Sequence, residues 1–232
     1  MLTISPVAIA RNAYKGKFGT PRQSGRVDEV ETRIVFLPPY QVKEALRGIG
    51  QFTHLWVLWG FSANSVQKQF SPTVRPPRLG GNARMGVFAT RSPFRPNPIG
   101  LSSVRLVRVE TNPNEGLVLV VAGADFLDGT PVYDIKPYLP YTDSHPEASN
   151  GFAQEWKDYR LHVSIPSGLR ERYGEEFCHA VEAVLSEDPR PAYQHDEQRV
   201  YAMSYDRYTL RFSVSDLRQT VTLLEVVENG NR

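Results

Sequence analysis

The segment Phe88–Gly100, F-A-T-R-S-P-F-R-P-N-P-I-G, holds three prolines, two arginines and an asparagine. Pro93, Pro96 and Pro98 fix φ and push Ser92, Arg95 and Asn97 toward extended backbone, which predicts a stiff loop and excludes helix or central strand. A loop stiffened in this way loses little entropy when a ligand arrives. Arg91 and Arg95, four apart in an extended chain, are expected to project from one side. Asn97, between two prolines, offers an amide that donates and accepts at once. These types suit an anionic or polar ligand; a rigid connector with solvated arginines is the other reading.

A second dense stretch is D-F-L-D-G-T-P-V-Y-D-I-K-P-Y-L-P-Y, Asp125–Tyr141. Asp128-Gly129 signals a turn, and Thr130-Pro131 restarts an extended chain. Asp134 and Lys136 then fall on one side of a strand, where they could form a surface ion pair of small value. Tyr133, Tyr138 and Tyr141 offer flat faces to a base or ring, or serve as ordinary core and rim residues.

Charge gives these stretches a context. The chain has 232 residues and net charge +2. Between Glu44 and Glu110 there is no Asp or Glu, while Arg47, Lys68, Arg75, Arg78, Arg84, Arg91, Arg95, Arg105 and Arg108 give +9, leaving −7 for the rest. That asymmetry points to RNA or DNA, or to a basic face balanced by an acidic neighbour. The one cysteine, Cys178, excludes an internal disulfide and a multi-cysteine zinc site, and reads as a buried helix residue. No metal is expected, the five histidines being scattered. Neither a Rossmann G-x-G-x-x-G nor a P-loop nor G-x-S-x-G is present. No apolar run is long enough for a membrane span and no signal peptide is evident, so the expected location is cytoplasmic.

Most elements that must carry these residues read as strands: Arg33–Phe36, Thr53–Phe61, Ala83–Thr90, Leu101–Val109, Gly116–Val121 and Pro131–Ile135, with one or two helical turns at Val42–Arg47. Short strands without alternating helices predict an all-β sandwich or barrel. The chain changes character in the polar stretch Thr142–Gln154. Beyond it, apolar spacing predicts one helix over Ser167–Glu187, stopped by Asp188-Pro189, and strands at Arg207–Ser215 and Gln219–Val227. The expected organisation is residues 1–150 and residues 151–232, the second too small for more than a modest core.

G-G-N-A-R-M-G-V-F-A-T-R-S-P-F-R-P-N-P-I-G, together with D-G-T-P-V-Y-D-I-K-P-Y and the late D-P-R-P-A-Y at Asp188–Tyr193, resembles the TsaA-like or TrmO-type tRNA (adenine-N6)-methyltransferase family. The resemblance runs from about Ile4 to the C-terminal strands. It implies a mainly β fold, a small antiparallel β-barrel with an appended α+β C-terminal domain, working as a homodimer. The implied cofactor is S-adenosyl-L-methionine, and the implied activity is N6-methylation of threonylcarbamoyl-adenosine beside the anticodon of threonine tRNA. By position, the resemblance implies cofactor contacts from Pro21, Arg22 and Gln23; Phe61 and Ser62; Arg91; Leu101; and Leu127, Asp128, Gly129, Thr130 and Pro131. Asn97, Asp134, Lys136 and Tyr138 are placed near the reacting methyl and the tRNA base. Methyl transfer depends mainly on alignment, which a stiff loop and a backbone-rich turn can supply. Asp134 is the candidate to accept the N6 proton; in the other reading no base is needed and Asp134 orients Lys136. Arg190 and Tyr193 are candidate tRNA contacts. A non-catalytic RNA-binding barrel and a methyltransferase with another acceptor stand as alternatives.

Overall fold

The computed structural model describes residues 3–63, 69–79, 83–190, 194 and 196–230. Lys68, the Gly80-Gly81-Asn82 start of the first motif, Tyr193, His195 and the Arg78 side chain lie outside the described residues. The strands are β1 (Ala8–Arg11), β2 (Glu31–Phe36), β3 (His54–Gly60), β4 (Thr73–Val74), β5 (Met85–Gly86), β6 (Ile99–Asn112), β7 (Gly116–Ala122), β8 (Pro131–Pro137), β9 (His162–Ser164), β10 (Tyr201–Tyr205), β11 (Tyr208–Ser215) and β12 (Thr220–Glu228). The helices are α1 (Pro140–Asp143), α2 (Ser167–Tyr173) and α3 (Glu175–Ser186).

In the N-terminal half, antiparallel pairing runs β1–β2–β7–β6–β3–β8 and returns to β1, so the sheet closes on itself. Alternation along β3 shows why. Leu55, Val57 and Trp59 are buried in the core beside Ile34, Val104, Leu119, Phe126 and Val132, while His54, Trp56 and Leu58 take the outer face. Each buried aliphatic or aromatic side chain contributes roughly 1.5–3 kcal/mol.

The C-terminal half packs α2 and α3 on a four-stranded sheet ordered β10-β11-β12-β9, with β9 parallel to β12. Cys178, Val181, Val184 and Leu185 of α3 enter a core with Leu210, Phe212, Val214, Val221 and Leu223. Burial pushes the Cys178 thiol pKa up, in keeping with an inert core residue. Three residues from the N-terminal half, Tyr14, Val27 and Val30, belong to this second core.

Two expected elements differ. The helix over Ser167–Glu187 is two helices, because Gly174 at φ +82° and ψ 162° breaks it between α2 and α3. The strand over Ala83–Thr90 shrinks to Met85–Gly86, followed by a 3-10 turn at Val87–Ala89. Its partner β4 runs into Pro76-Pro77, which cannot continue a ladder.

Candidate active site

The D-G-T-P turn is built almost wholly from backbone. Gly129 N–H donates to the Ala10 carbonyl at 2.8 Å, Ala10 N–H to Thr130 at 2.9 Å, and Thr130 N–H to Leu127 at 3.2 Å. Gly129 sits at φ +78°, a left-handed position that favours glycine. The Asp128 carboxylate is occupied: Oδ1 accepts from Asn12 N–H at 3.1 Å and Oδ2 meets Lys15 Nζ at 3.0 Å. Asp128 therefore fixes the turn, and a ligand meets chiefly the peptide groups. The Ser62 and Thr130 hydroxyls lie 3.4 Å apart, bringing the end of β3 to this turn.

The proline-rich loop leans on the same end of the sheet. Phe61 N–H donates to the Pro98 carbonyl at 3.1 Å, and the Phe61 and Trp59 rings meet edge-on at 4.5 Å. Arg91 Nη1 donates to the Gln23 side-chain carbonyl. Arg95 does not project beside Arg91: its Nη1 turns back to the Thr90 carbonyl at 3.0 Å, bracing the loop from within. The local turns that proline forces put that carbonyl within reach, so the extended-chain expectation fails for Arg95. Asn97 is exposed, and its carbonyl accepts from Ile99 N–H at 2.8 Å.

Beneath the loop lies a chain of polar contacts with no local sequence signal. Trp59 Nε1–H donates to Ser102 Oγ at 2.8 Å, and the Ser102 hydroxyl donates to Asp125. Burial pushes the Asp125 carboxyl pKa up, opposed by the Ser102 hydrogen bond and by the nearby Arg91 charge. Gly25 N–H donates to the Gly123 carbonyl at 2.8 Å, which holds the Pro21–Gln23 segment against the approach to Asp125.

A cavity of about 1080 Å³ opens beside this end of the molecule. Arg22, Gln23 and Arg91 line it with Phe18, Phe88, Trp156 and Arg190. Its far wall belongs to the C-terminal half. There Glu187, buried, is gripped by Arg26 Nε at 3.0 and 3.1 Å and by Arg160, while Arg26 also donates to the Lys157 and Tyr159 carbonyls. Arg190 is buried against Asp188, at 2.9 Å, and Asp216. The Arg22 guanidinium donates to the Arg190 carbonyl at 3.2 Å, so Arg22 serves the join between the halves.

The remaining expected residues lie on the outer face of β6, β3 and β8. Leu101 pairs with Leu58, which pairs with Asp134, placing the three in one row. Ser103, Trp56 and Lys136 form the next row. Lys136 Nζ and Asp134 Oδ2 make the anticipated ion pair at 2.8 Å, and the Tyr138 ring sits 5.4 Å from Trp56. Leu101 is 54% exposed. The structure thus draws Phe61, Ser62 and Leu127–Pro131 to one end of the sheet and sets Gln23 and Arg91 on the cavity. Leu101, Asp134, Lys136 and Tyr138 stand on an outer face that does not line the described cavity.

A closed antiparallel sheet carrying a braced cationic loop and a peptide-rich turn defines a mainly β protein, unlike a doubly wound nucleotide enzyme. Comparison with known proteins narrows this. Residues 9–144 match the tRNA-methyltransferase O N-terminal domain and residues 163–228 the TrmO C-terminal domain. A tRNA (adenine(37)-N6)-methyltransferase of Escherichia coli K12 is 42% identical over 228 residues, 94% of this chain and 96% of that protein. A putative S-adenosylmethionine-dependent methyltransferase, RcsF, of Pseudomonas aeruginosa PAO1 is 40% identical over 203 residues, 84% of each. The crystal structure of TrmO from Pseudomonas aeruginosa superposes with a TM-score of 0.76 at 30% identity, covering 98% of this chain and 99% of that one. The chain belongs to the TrmO family, as its two long motifs foretell.

Proposed function

We propose that this chain is an S-adenosylmethionine-dependent tRNA methyltransferase acting on N6 of the adenine at position 37. The observation that carries this is the agreement of both halves with the two family domains, together with 42% identity to a relative of that named activity. The finer acceptor is threonylcarbamoylated threonine tRNA, met in the cytoplasm by a homodimer. The exposed Leu101 and Ile99, side by side on the outer face, support a second copy covering that face and joining it to the cavity. Residues 1–150 bind the cofactor, and residues 151–232 brace them and meet the tRNA.

Part of the expected cofactor set meets at the cavity. Arg22, Gln23 and Arg91 line the cavity of about 1080 Å³, of the size that takes a small ligand, while Phe61, Ser62, Leu101 and the Leu127–Pro131 turn lie outside its lining. S-adenosylmethionine supplies a methyl carried on a sulfonium. Arg91 and Gln23 would hold its charged end, Arg91 through a guanidinium whose bonded neighbour is an amide and not a carboxylate. Pro21 and Arg22 flank that contact. The Leu127–Pro131 turn, with Ser62 beside it and Phe61 next in the chain, would present peptide groups to the adenosine, and Leu101 would approach from the outer face of the sheet. The acceptor N6 must give up a proton when it takes the methyl. Asp134, held by Lys136 and the Ile135 N–H at 2.9 Å, accepts that proton, while Asn97, Lys136 and Tyr138 position the base.

The test incubates the protein with methyl-labelled S-adenosylmethionine and threonine tRNA, with and without its threonylcarbamoyl group. Label on N6 of the modified tRNA alone is expected. Cofactor binding without transfer to either tRNA overturns the acceptor; no cofactor binding leaves an RNA-binding barrel.

A further inference from the structure

An exposed phenylalanine, Phe88, lines the cavity, and a second exposed ring, Phe70, packs against it. Phe88, on the 3-10 turn that leads into the proline-rich loop, is 73% exposed and lines the cavity. Phe70 is 61% exposed, and its ring stacks against Phe88 at 6.5 Å and 28° between planes. Large exposed aromatic pairs lose hydrophobic free energy unless something covers them. The Arg91–Gln23 contact lies three residues along the same wall.

The surrounding charge selects the occupant. Both rings lie in the segment between Glu44 and Glu110 that has no acidic residue, with Arg75 and Arg84 exposed nearby in sequence. The acids that do line the cavity, Glu187 and Asp188, are engaged by Arg26, Arg160 and Arg190. Flat aromatic faces among cations form a stacking platform for single-stranded nucleic acid, where each stacked base is worth ~1–3 kcal/mol.

We infer that Phe88, backed by Phe70, stacks an unpaired anticodon-loop base next to the target adenine. This rests on the tRNA-methyltransferase reading and adds the recognition surface to it. Phe88 takes the neighbouring base, since the reacting base is assigned to Asn97, Asp134, Lys136 and Tyr138, which Phe88 does not join.

The test uses the full-length protein and an anticodon stem-loop RNA with 2-aminopurine beside adenosine 37. Wild-type protein should quench the probe as it stacks. Phe88→Ala should abolish quenching and raise the KM for tRNA about tenfold. Its cofactor Kd, melting temperature and salt slope should not change, and Phe88→Tyr should restore quenching. Phe70→Ala should give a smaller loss of the same kind. Normal quenching by Phe88→Ala overturns the inference while leaving the activity intact. A change of oligomeric state in Phe88→Ala, seen by light scattering, also overturns it, because the rings would then meet a second copy. Absence of methyl transfer to tRNA by the wild-type protein defeats the parent reading, whatever Phe88 does.

Discussion

Arg91, on the proline-stiffened loop, donates through Nη1 to the side-chain carbonyl of Gln23, 68 residues earlier in the chain. The bond joins two separate stretches of sequence on one cavity wall. Gln23 is held in place independently through the Gly25–Gly123 backbone bond, so the loop docks on a prepared partner.

Arg91→Ala should raise the Kd for S-adenosylmethionine about tenfold, the scale of a lost hydrogen bond to a charged group. Gln23→Ala should cost less, because it only frees the guanidinium to wander. Titration calorimetry checks both, and an unchanged Kd in Arg91→Ala removes the residue from the cofactor site.

Glu187 accepts from Arg26 and Arg160 while itself only 6% exposed. Glu187→Ala leaves two guanidiniums facing each other without a carboxylate. The loss should be about 3 kcal/mol, toward the low end for a broken buried pair because Arg160 is partly in solvent. Urea denaturation measures it; Glu187→Gln should fall between the variant and the wild type.

Gly100 lies under the Trp59 indole: a Cβ there would come within 2.2 Å of the ring. A fused ring packed on Phe61 and Phe126 cannot swing clear cheaply. Gly100→Ala should cost about 1–3 kcal/mol and shift the Trp59 fluorescence as the indole leaves Ser102. Unaltered emission and stability would show that the sheet yields instead.

Burial holds the Asp125 carboxyl protonated to higher pH than in the unfolded chain. The folded state then binds more protons, so this contribution is full below the unfolded carboxylate pKa of about 4 and is lost as pH rises through the folded value. Asp125→Asn cannot ionise. The wild-type melting temperature should therefore drop relative to the variant's as pH rises above about 4. A gap that stays constant over that range contradicts the assignment.

Arg84 is exposed within the acid-free segment. If it touches a phosphate of the RNA, Arg84→Ala should reduce the slope of log Kd against log salt by roughly 0.7. Equal slopes for variant and wild type take Arg84 out of the footprint.

Much of the β framework was legible because the signals are local. The run L-W-V-L-W-G forms a strand since alternate residues Leu55, Val57 and Trp59 fill the core. The alternation in Arg207–Ser215 likewise buries Leu210, Phe212 and Val214. Strand β9 escaped notice because three residues carry no period, and its partner Thr220–Thr222 is distant in sequence. Ala83–Thr90 misled because its apolar residues lack a long partner strand. The helical period over 167–187 is real, but it did not weigh the glycine inside it.

The site divides along the same line. Stiffness of the 93–98 segment, the bend at Gly129 and the Asp134–Lys136 pair follow from neighbours in sequence. Asp125 and the Arg26–Glu187 contact depend on groups brought from far along the chain, and no local pattern marks them. The direction of Arg95 was lost for a further reason: proline fixes φ, yet where a long side chain turns depends on which carbonyl happens to be near.

Tyr14, Val27 and Val30 insert into a core whose other members come from Leu161 onward. A ribosome delivers these three early and their packing partners late. The arm bearing Gln23 must wait, uncovered, while the intervening strands emerge, and it settles only when the tail of the polypeptide is made. A chain cut short by a premature stop would therefore leave the Gln23 arm without its anchor, along with its missing end.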